Sequence, residues 1–238
     1  VTDVLLLCMA LIWGVNYAVV KFGAAQLAPL SFNSARIALA SAVLVAIVVA
    51  SRRAWPGGRD LLVLLALGAL GNGLYQILFI EGIAHTRAGD AALLIAASPA
   101  LMAIGGWMRG TERTGPRGMA GIALSLLGMA FVVFGDAGMR TSGSAPLLGD
   151  AFILLSALCW AVYTVLLKPY TERVDGMTLS AVTMVGGLIP MLLVSAPAIA
   201  GTPWGAVSVG GWLAVAYSGL FALVLAYLFW YRGVKTLG

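Results

Sequence analysis

The stretch WGVNYAVVK at residues 13–21 and its near-copy WAVYTVLLK at residues 160–168 decide how this chain folds. Both lie inside long apolar runs, with Trp first and Lys last at the same spacing. Laying residues 3–21 on 150–168, at a constant offset of 147, pairs Asp3 with Asp150, Leu7 with Leu154, Ala10 with Ala157 and Leu11 with Leu158. The same offset pairs Trp13 with Trp160, Val15 with Val162 and Lys21 with Lys168. Leu and Ala coincide easily in apolar helices. Asp, Trp and Lys are scarce here, and their match at fixed spacing marks a duplication. A weaker match at offset 151 pairs Leu62, Gly68, Leu74 and Gly82 with Leu213, Gly219, Leu225 and Gly233, in the same chain order.

The 238 residues are 61% hydrophobic and 10% charged, with a mean hydropathy of +1.01. A soluble domain sits nearer about 45–50% apolar and about 25% charged, so this chain belongs in a bilayer. The net charge of +5 comes without a basic block or an aromatic-interleaved patch, so nucleic acid is not an expected partner. Cys8 and Cys159 fall in apolar runs and read as small buried hydrophobes, not as a disulfide or a metal site. One histidine leaves little room for metal chemistry, and no cofactor is expected. The first apolar run lacks a basic leader and reads as a span rather than a cleaved signal.

Eight runs are long enough to span as helices: residues 3–21, 29–50, 61–80, 91–108, 118–135, 150–168, 177–196 and 209–231. Helices are the expected form, because lipid offers no partner to a free backbone N–H. The links after runs 2, 4 and 6 and the tail hold Arg52, Arg53, Arg59, Arg109, Arg113, Arg117, Lys168, Arg173, Arg232 and Lys235. The opposite side holds Lys21, Arg87 and Arg140. The excess places the N-terminus and the tail in the cytoplasm. Five spans precede the second copy, an odd number, so the two copies are expected to run in opposite directions, as in many secondary transporters. The first copy spans 1–140. The second, 148–238, has three spans where the first has five, so two further helices are expected.

In this order and spacing, several segments resemble the drug/metabolite transporter superfamily, specifically its EamA-type pair of five-helix domains. They are ALIWGVNYAVVK, FNSARIALA, EGIAHTRAGDAALLIAASPALMAI, TERTGPRGMAGIALSLLGMAFVV, LSALCWAVYTVLLK and AYLFWYRGVKTLG. The resemblance implies an all-α polytopic membrane protein with an inverted repeat of five-helix units, ten helices in full. It also implies export or exchange of small metabolites by alternating access, residence in a bacterial inner membrane, and kinship with exporters of amino acids, including aromatic ones. A monomer is expected; a homodimer stays open.

Polar groups in hydrocarbon are costly and usually face the bundle interior or a wet cavity. Run 1 carries Trp13, Asn16 and Tyr17 on one helical stripe, and run 6 carries Trp160, Tyr163 and Thr164 at the matching places. Run 3 offers Asn72, Tyr75, Gln76 and Phe79, and run 8 answers with Tyr227 and Trp230. Together they would suit a small amphipathic solute, aromatic faces taking its apolar part and amides and hydroxyls its polar groups. The bland reading is interhelical hydrogen-bond glue, with Tyr231 as an interfacial belt residue. Arg36, nearly two turns into run 2, has three readings: it snorkels outward, faces a carboxylate-bearing solute, or pairs with Glu81. Glu81 and His85, with Arg87 and Asp90, form either a solvated rim or an outer gate. Pro99 and Pro190 sit mid-span, where each removes a backbone hydrogen bond and can kink its helix. Residues 68, 71, 73 and 121 are glycines that permit close helix approach.

No Asp or Glu falls near the centre of any span, so movement down a solute gradient is expected rather than coupling through a central carboxylate. The sequence thus points to a secondary transporter of small metabolites, most readily neutral or aromatic amino acids moved outward. The rival is a membrane scaffold or lipid-handling protein without a solute pathway. An intramembrane enzyme would need a nucleophile–base pair or a metal cluster, and no HExxH is present.

Overall fold

The structure, a computed structural model, describes residues 2–110, 115–135 and 146–237. Arg113, Arg140 and the boundary of the first copy at residue 140 lie outside them. The described residues form helices joined by short turns and links, without a strand. Helices α1 (Thr2–Gln26) and α2 (Pro29–Ala50) come first. Run 3 forms α3 (Gly58–Gly68), a π-helical segment (Ala69–Leu74) and α4 (Tyr75–His85). Run 4 forms α5 (Ala88–Ile95) and α6 (Ser98–Met108), and α7 (Pro116–Gly135) follows. Then come α8 (Pro146–Arg173) and α9 (Gly176–Gly201). Run 8 forms α10 (Val209–Tyr217), a second π-helical segment (Ser218–Leu225) and α11 (Ala226–Leu237). Seven of these helical stretches are long and apolar enough to cross a membrane, and α7 adds an apolar helix of twenty residues. The protein is an all-helical polytopic membrane protein.

The break between α5 and α6 has a local cause. Pro99 has no N–H to give the carbonyl of Ile95, one turn earlier. The Ser98 hydroxyl donates to that carbonyl instead, at 2.7 Å. Pro190 behaves differently, because α9 passes through it and through Pro197 as one helix.

The bundle is inside out relative to a soluble protein. Leu7, Leu11 and Val15 form an exposed apolar stripe on α1, while its Asn16 is buried. Cys8 also lies on the exposed surface and Cys159 is half-buried. The expectation that both are buried is therefore corrected: their helix positions turn toward the apolar exterior, where a thiol costs little.

At the centre, α2 packs along α9, α4 along α8, and α1 against α11. The segment formed by α3 and the first π turn crosses α9 closely enough to need glycine. A Cβ on Gly68 would stand 2.1 Å from the Thr183 carbonyl oxygen, and one on Gly187 2.4 Å from the Asn72 carbonyl carbon. Gly121, by contrast, has open space around it.

Each end of the bundle has its own polar ties. At one end Lys21 Nζ donates to the carbonyls of Ile83, Ala84 and Thr86 at 2.6, 3.2 and 2.8 Å. A cation on the last carbonyls of α4 meets both their unused acceptors and the negative end of the helix dipole. Nearby, Thr86 Oγ1 donates to Asp150 at 2.8 Å. At the other end Arg53 pairs with Asp175 at 2.5 Å and Arg173 with Asp60 at 3.6 Å. Asp175 also caps α9, accepting from the amides of Met177 and Thr178.

The helix crossing can be tested by a matched pair. Gly187→Ala should lower stability by about 1–3 kcal/mol, since the helices must separate to admit the methyl group. Gly121→Ala should leave stability unchanged or raise it by up to ~1 kcal/mol, as helix propensity dictates. Thermal unfolding in detergent, followed by tryptophan fluorescence, reads both, and equal midpoints would contradict the close crossing.

A candidate solute cavity between the helices

A cavity of about 480 Å³ opens between α1, α2, α4, α5, α6, α8 and the run-8 helix. Of the twelve residues expected to bind solute, nine line it: Trp13, Asn16, Tyr17, Tyr75, Gln76, Phe79, Trp160, Tyr227 and Trp230. Trp13 joins an aromatic cluster centred on Trp160. The Trp13 ring meets Trp160 edge-on at 6.0 Å, Tyr227 edge-on at 6.0 Å and Trp230 tilted at 5.9 Å. Trp160 in turn lies 5.5 Å from Tyr227 and 5.3 Å from Tyr75, and Tyr75 stacks on Phe79 at 5.7 Å. Trp13 Nε1 donates to the carbonyl of Ala222, inside the second π segment, at 3.0 Å. The indole is thereby fixed in direction while its face stays available to the cavity.

Three expected residues stand behind the wall instead. Asn72 is fully buried where Gly187 of α9 passes. It belongs to the π segment, whose i→i+5 bonding breaks the helical phase assumed between residues 72 and 79. Tyr163 is fully buried beneath Gly71, its hydroxyl 2.5 Å from that of Tyr231. The Tyr231 hydroxyl also meets Thr183 Oγ1 at 3.2 Å. Tyr231 is therefore an interior residue and not a belt residue. Thr164 is buried on the same turn of α8, outside the lining.

The residues expected to gate divide as well. Pro99 lines the cavity at the α5–α6 break. Pro190 packs toward Gly73 and takes no part in the lining. Glu81 and His85 face each other at 4.0 Å near the end of α4, and Arg87 pairs with Asp90 at 2.7 Å. All four lie outside the cavity.

Arg36 departs furthest from expectation. It neither snorkels nor pairs with Glu81; it is 1% exposed and lines the cavity. Its Nε donates to Asn33 Oδ1, Nη1 to Ser218 Oγ and Nη2 to Gln76 Oε1, each at 2.6 Å. The rings of Phe32 and Phe79 lie 5.8 and 5.9 Å from its guanidinium carbon. Snorkelling fails because α2 is enclosed here by α4, α9 and the second π segment. Asn33 and Ser218, which hold the guanidinium, are not among the expected site residues. The available signal was Asn33 standing one helical turn before an arginine in an apolar run.

Several lining residues carried no polar signal: Met9, Ala10, Ile95, Ala96, Met102 and Leu223. Met9 precedes Trp13 by four residues, and Leu223 precedes Tyr227 by four, so helical spacing could have found both. Among the described residues no acidic side chain lines the cavity, and no group of His, Cys, Asp and Glu is placed to hold a metal ion.

Cysteine accessibility separates wall from interior. With Cys8 and Cys159 replaced by Ala, Asn16→Cys and Tyr75→Cys should react with a water-soluble maleimide, while Tyr163→Cys and Thr164→Cys should not. Mass spectrometry of the labelled protein reads the difference. Labelling confined to positions 163 and 164 would move the cavity to the other side of α8.

Comparison with known proteins accords with this architecture. The chain is 31% identical to an "uncharacterized transporter" of Archaeoglobus fulgidus, over 99% of this chain and 80% of that one. It is 25% identical to the "uncharacterized transporter YyaM" of Bacillus subtilis, over 99% of this chain and 78% of that one. A "probable terminal-alkyne amino-acid exporter" of Streptantibioticus cattleyicolor is 27% identical, over 94% of this chain and 72% of that protein. A solved crystal structure superposes with a TM-score of 0.69 over 98% of this chain and 79% of its own, at 21% identity, a likeness of fold. The family described as "EamA-like transporter family" matches residues 1–134 and 147–238, and with nearly every residue inside those two stretches the chain belongs to that family.

Proposed function

We propose that this protein is a secondary transporter that exports small metabolites, neutral or aromatic amino acids foremost, by alternating access through the central cavity. The observation that carries the proposal is the cavity itself: aromatic faces from four helices surround a space of about 480 Å³ that also receives Asn16, Gln76 and Arg36. Aromatic walls with a few polar groups match a small amphipathic solute. A dry scaffold would leave no such space beside these rings. The exporter named among the relatives supports the same solute class.

The proposal includes a duplicated unit, residues 1–140 and 148–238, whose copies run in opposite directions. Contacts between helices support it: α4 on α8 and α11 on α1 are exchanged by the offsets of the sequence match, while α2 on α9 maps onto itself. The first π segment, Ala69–Leu74, shifted by 151 falls at 220–225, inside the second. The distribution of Lys and Arg supports a cytoplasmic N-terminus in a bacterial inner membrane.

Flux of radiolabelled amino acids in proteoliposomes tests the reading. Trp160→Ala and Gln76→Ala should each reduce flux of phenylalanine by about tenfold, the equivalent of ~1.4 kcal/mol. Absence of flux for every amino acid would remove the solute class. Unchanged flux in both variants would remove the cavity as the pathway.

A further inference from the structure

Arg36 is the one charged side chain among the described residues lining the cavity. Its three acceptors, an asparagine oxygen, a glutamine oxygen and a serine hydroxyl, are all neutral. They satisfy donors without cancelling charge. A guanidinium carries five N–H donors, so two remain after these three bonds. A buried charge normally carries a counter-charge or a metal, because desolvating it alone is expensive. No carboxylate of the described residues pairs with Arg36, and Arg36 is among the residues lining a cavity large enough for a small organic molecule.

We propose that Arg36 is an anion subsite of the cavity and that the transported solute is selected by a carboxylate, its apolar body lying against the Trp13, Trp160, Tyr227 and Trp230 rings. This rests on the transport reading above and sharpens it. No acidic side chain of the described lining awaits an ammonium group, so the amino group of an amino acid meets no counter-charge there. Simple aryl and alkyl carboxylates therefore belong to the solute class beside amino acids, and amines do not. The planar fork of the guanidinium suits a carboxylate, which can take the two remaining donors. Asn33, Gln76 and Ser218 hold the fork in place before solute arrives, so little ordering is left for binding to accomplish.

The tryptophans of the cavity wall give a direct readout. Intrinsic fluorescence of the purified protein is titrated with 3-phenylpropionate, L-phenylalanine, L-phenylalaninamide and phenethylamine. Both acids should bind about tenfold or more tightly than the amide and the amine, as expected when a built polar site meets a ligand lacking the matching group. Gln76→Glu sets a carboxylate against Arg36 and should abolish that preference in a protein that still folds. Arg36→Lys should keep the preference with weaker binding. Equal binding of acid and amine, no response to either acid, or a preference that survives Gln76→Glu would overturn the subsite. Phosphatidylglycerol added to phosphatidylcholine vesicles should leave acid binding unchanged, whereas competition would assign the subsite to lipid phosphate and overturn the proposal. Flux of phenylalanine in the same vesicles separates the two readings. Acid-selective binding without flux removes transport alone, and flux without acid preference removes the subsite alone.

Discussion

A single guanidinium at membrane depth constrains much of this structure. Arg36 projects from α2 and reaches α4 through Gln76 and the second π segment through Ser218. A charge in a low-dielectric interior strengthens each hydrogen bond it makes and raises the cost of losing one. These bonds therefore hold three elements in register around the cavity. Because all three acceptors are neutral, they orient the charge and leave its field directed at the space beside it. The aromatic rings complete the wall with faces that attract apolar groups.

The two π-helical segments explain how polar and aromatic groups gather there. An i→i+5 turn widens the helix and shifts the phase of every residue after it. In the first, Asn72 is turned toward α9 while Tyr75, Gln76 and Phe79 swing to the cavity. In the second, the Ala222 carbonyl meets the Trp13 indole, and Ser218 at the segment's start meets Arg36. Both segments lie where a neighbouring helix approaches closely, α9 on the first and α2 on the second.

Lys21 shows charge serving a local end. By the distribution of the other cations it sits on the side that holds few of them. Its three carbonyl partners at the end of α4 account for its position, since those acceptors would otherwise lack donors. Lys168, which the sequence offset of 147 pairs with Lys21, lies near Arg173, whose partner Asp60 is at the opposite end.

Composition and spacing were sufficient for the membrane class, the helical spans and the aromatic stripes of α1 and run 8. Apolar length and the repeat of Trp, Lys and Asp are properties of the chain itself, independent of how helices cross. The stripe logic also found Trp160, Tyr75, Gln76 and Phe79. It failed for Asn72 because a π turn resets the helical phase, and no residue type announces such a turn. It failed for Tyr163 because Gly71, on another helix, leaves room for a ring that then reaches Tyr231. Arg36 had three readings in the sequence, and only the arrangement of α4, α9 and the second π segment around it excluded the aqueous rim and the Glu81 pair. The sequence by itself determined which segments enter lipid and which faces carry polar chemistry, because hydropathy and period are local. Tertiary structure alone decided which of those groups meet in one cavity, because that depends on the depth and closeness of helix crossings set by glycines and π turns far apart in the chain.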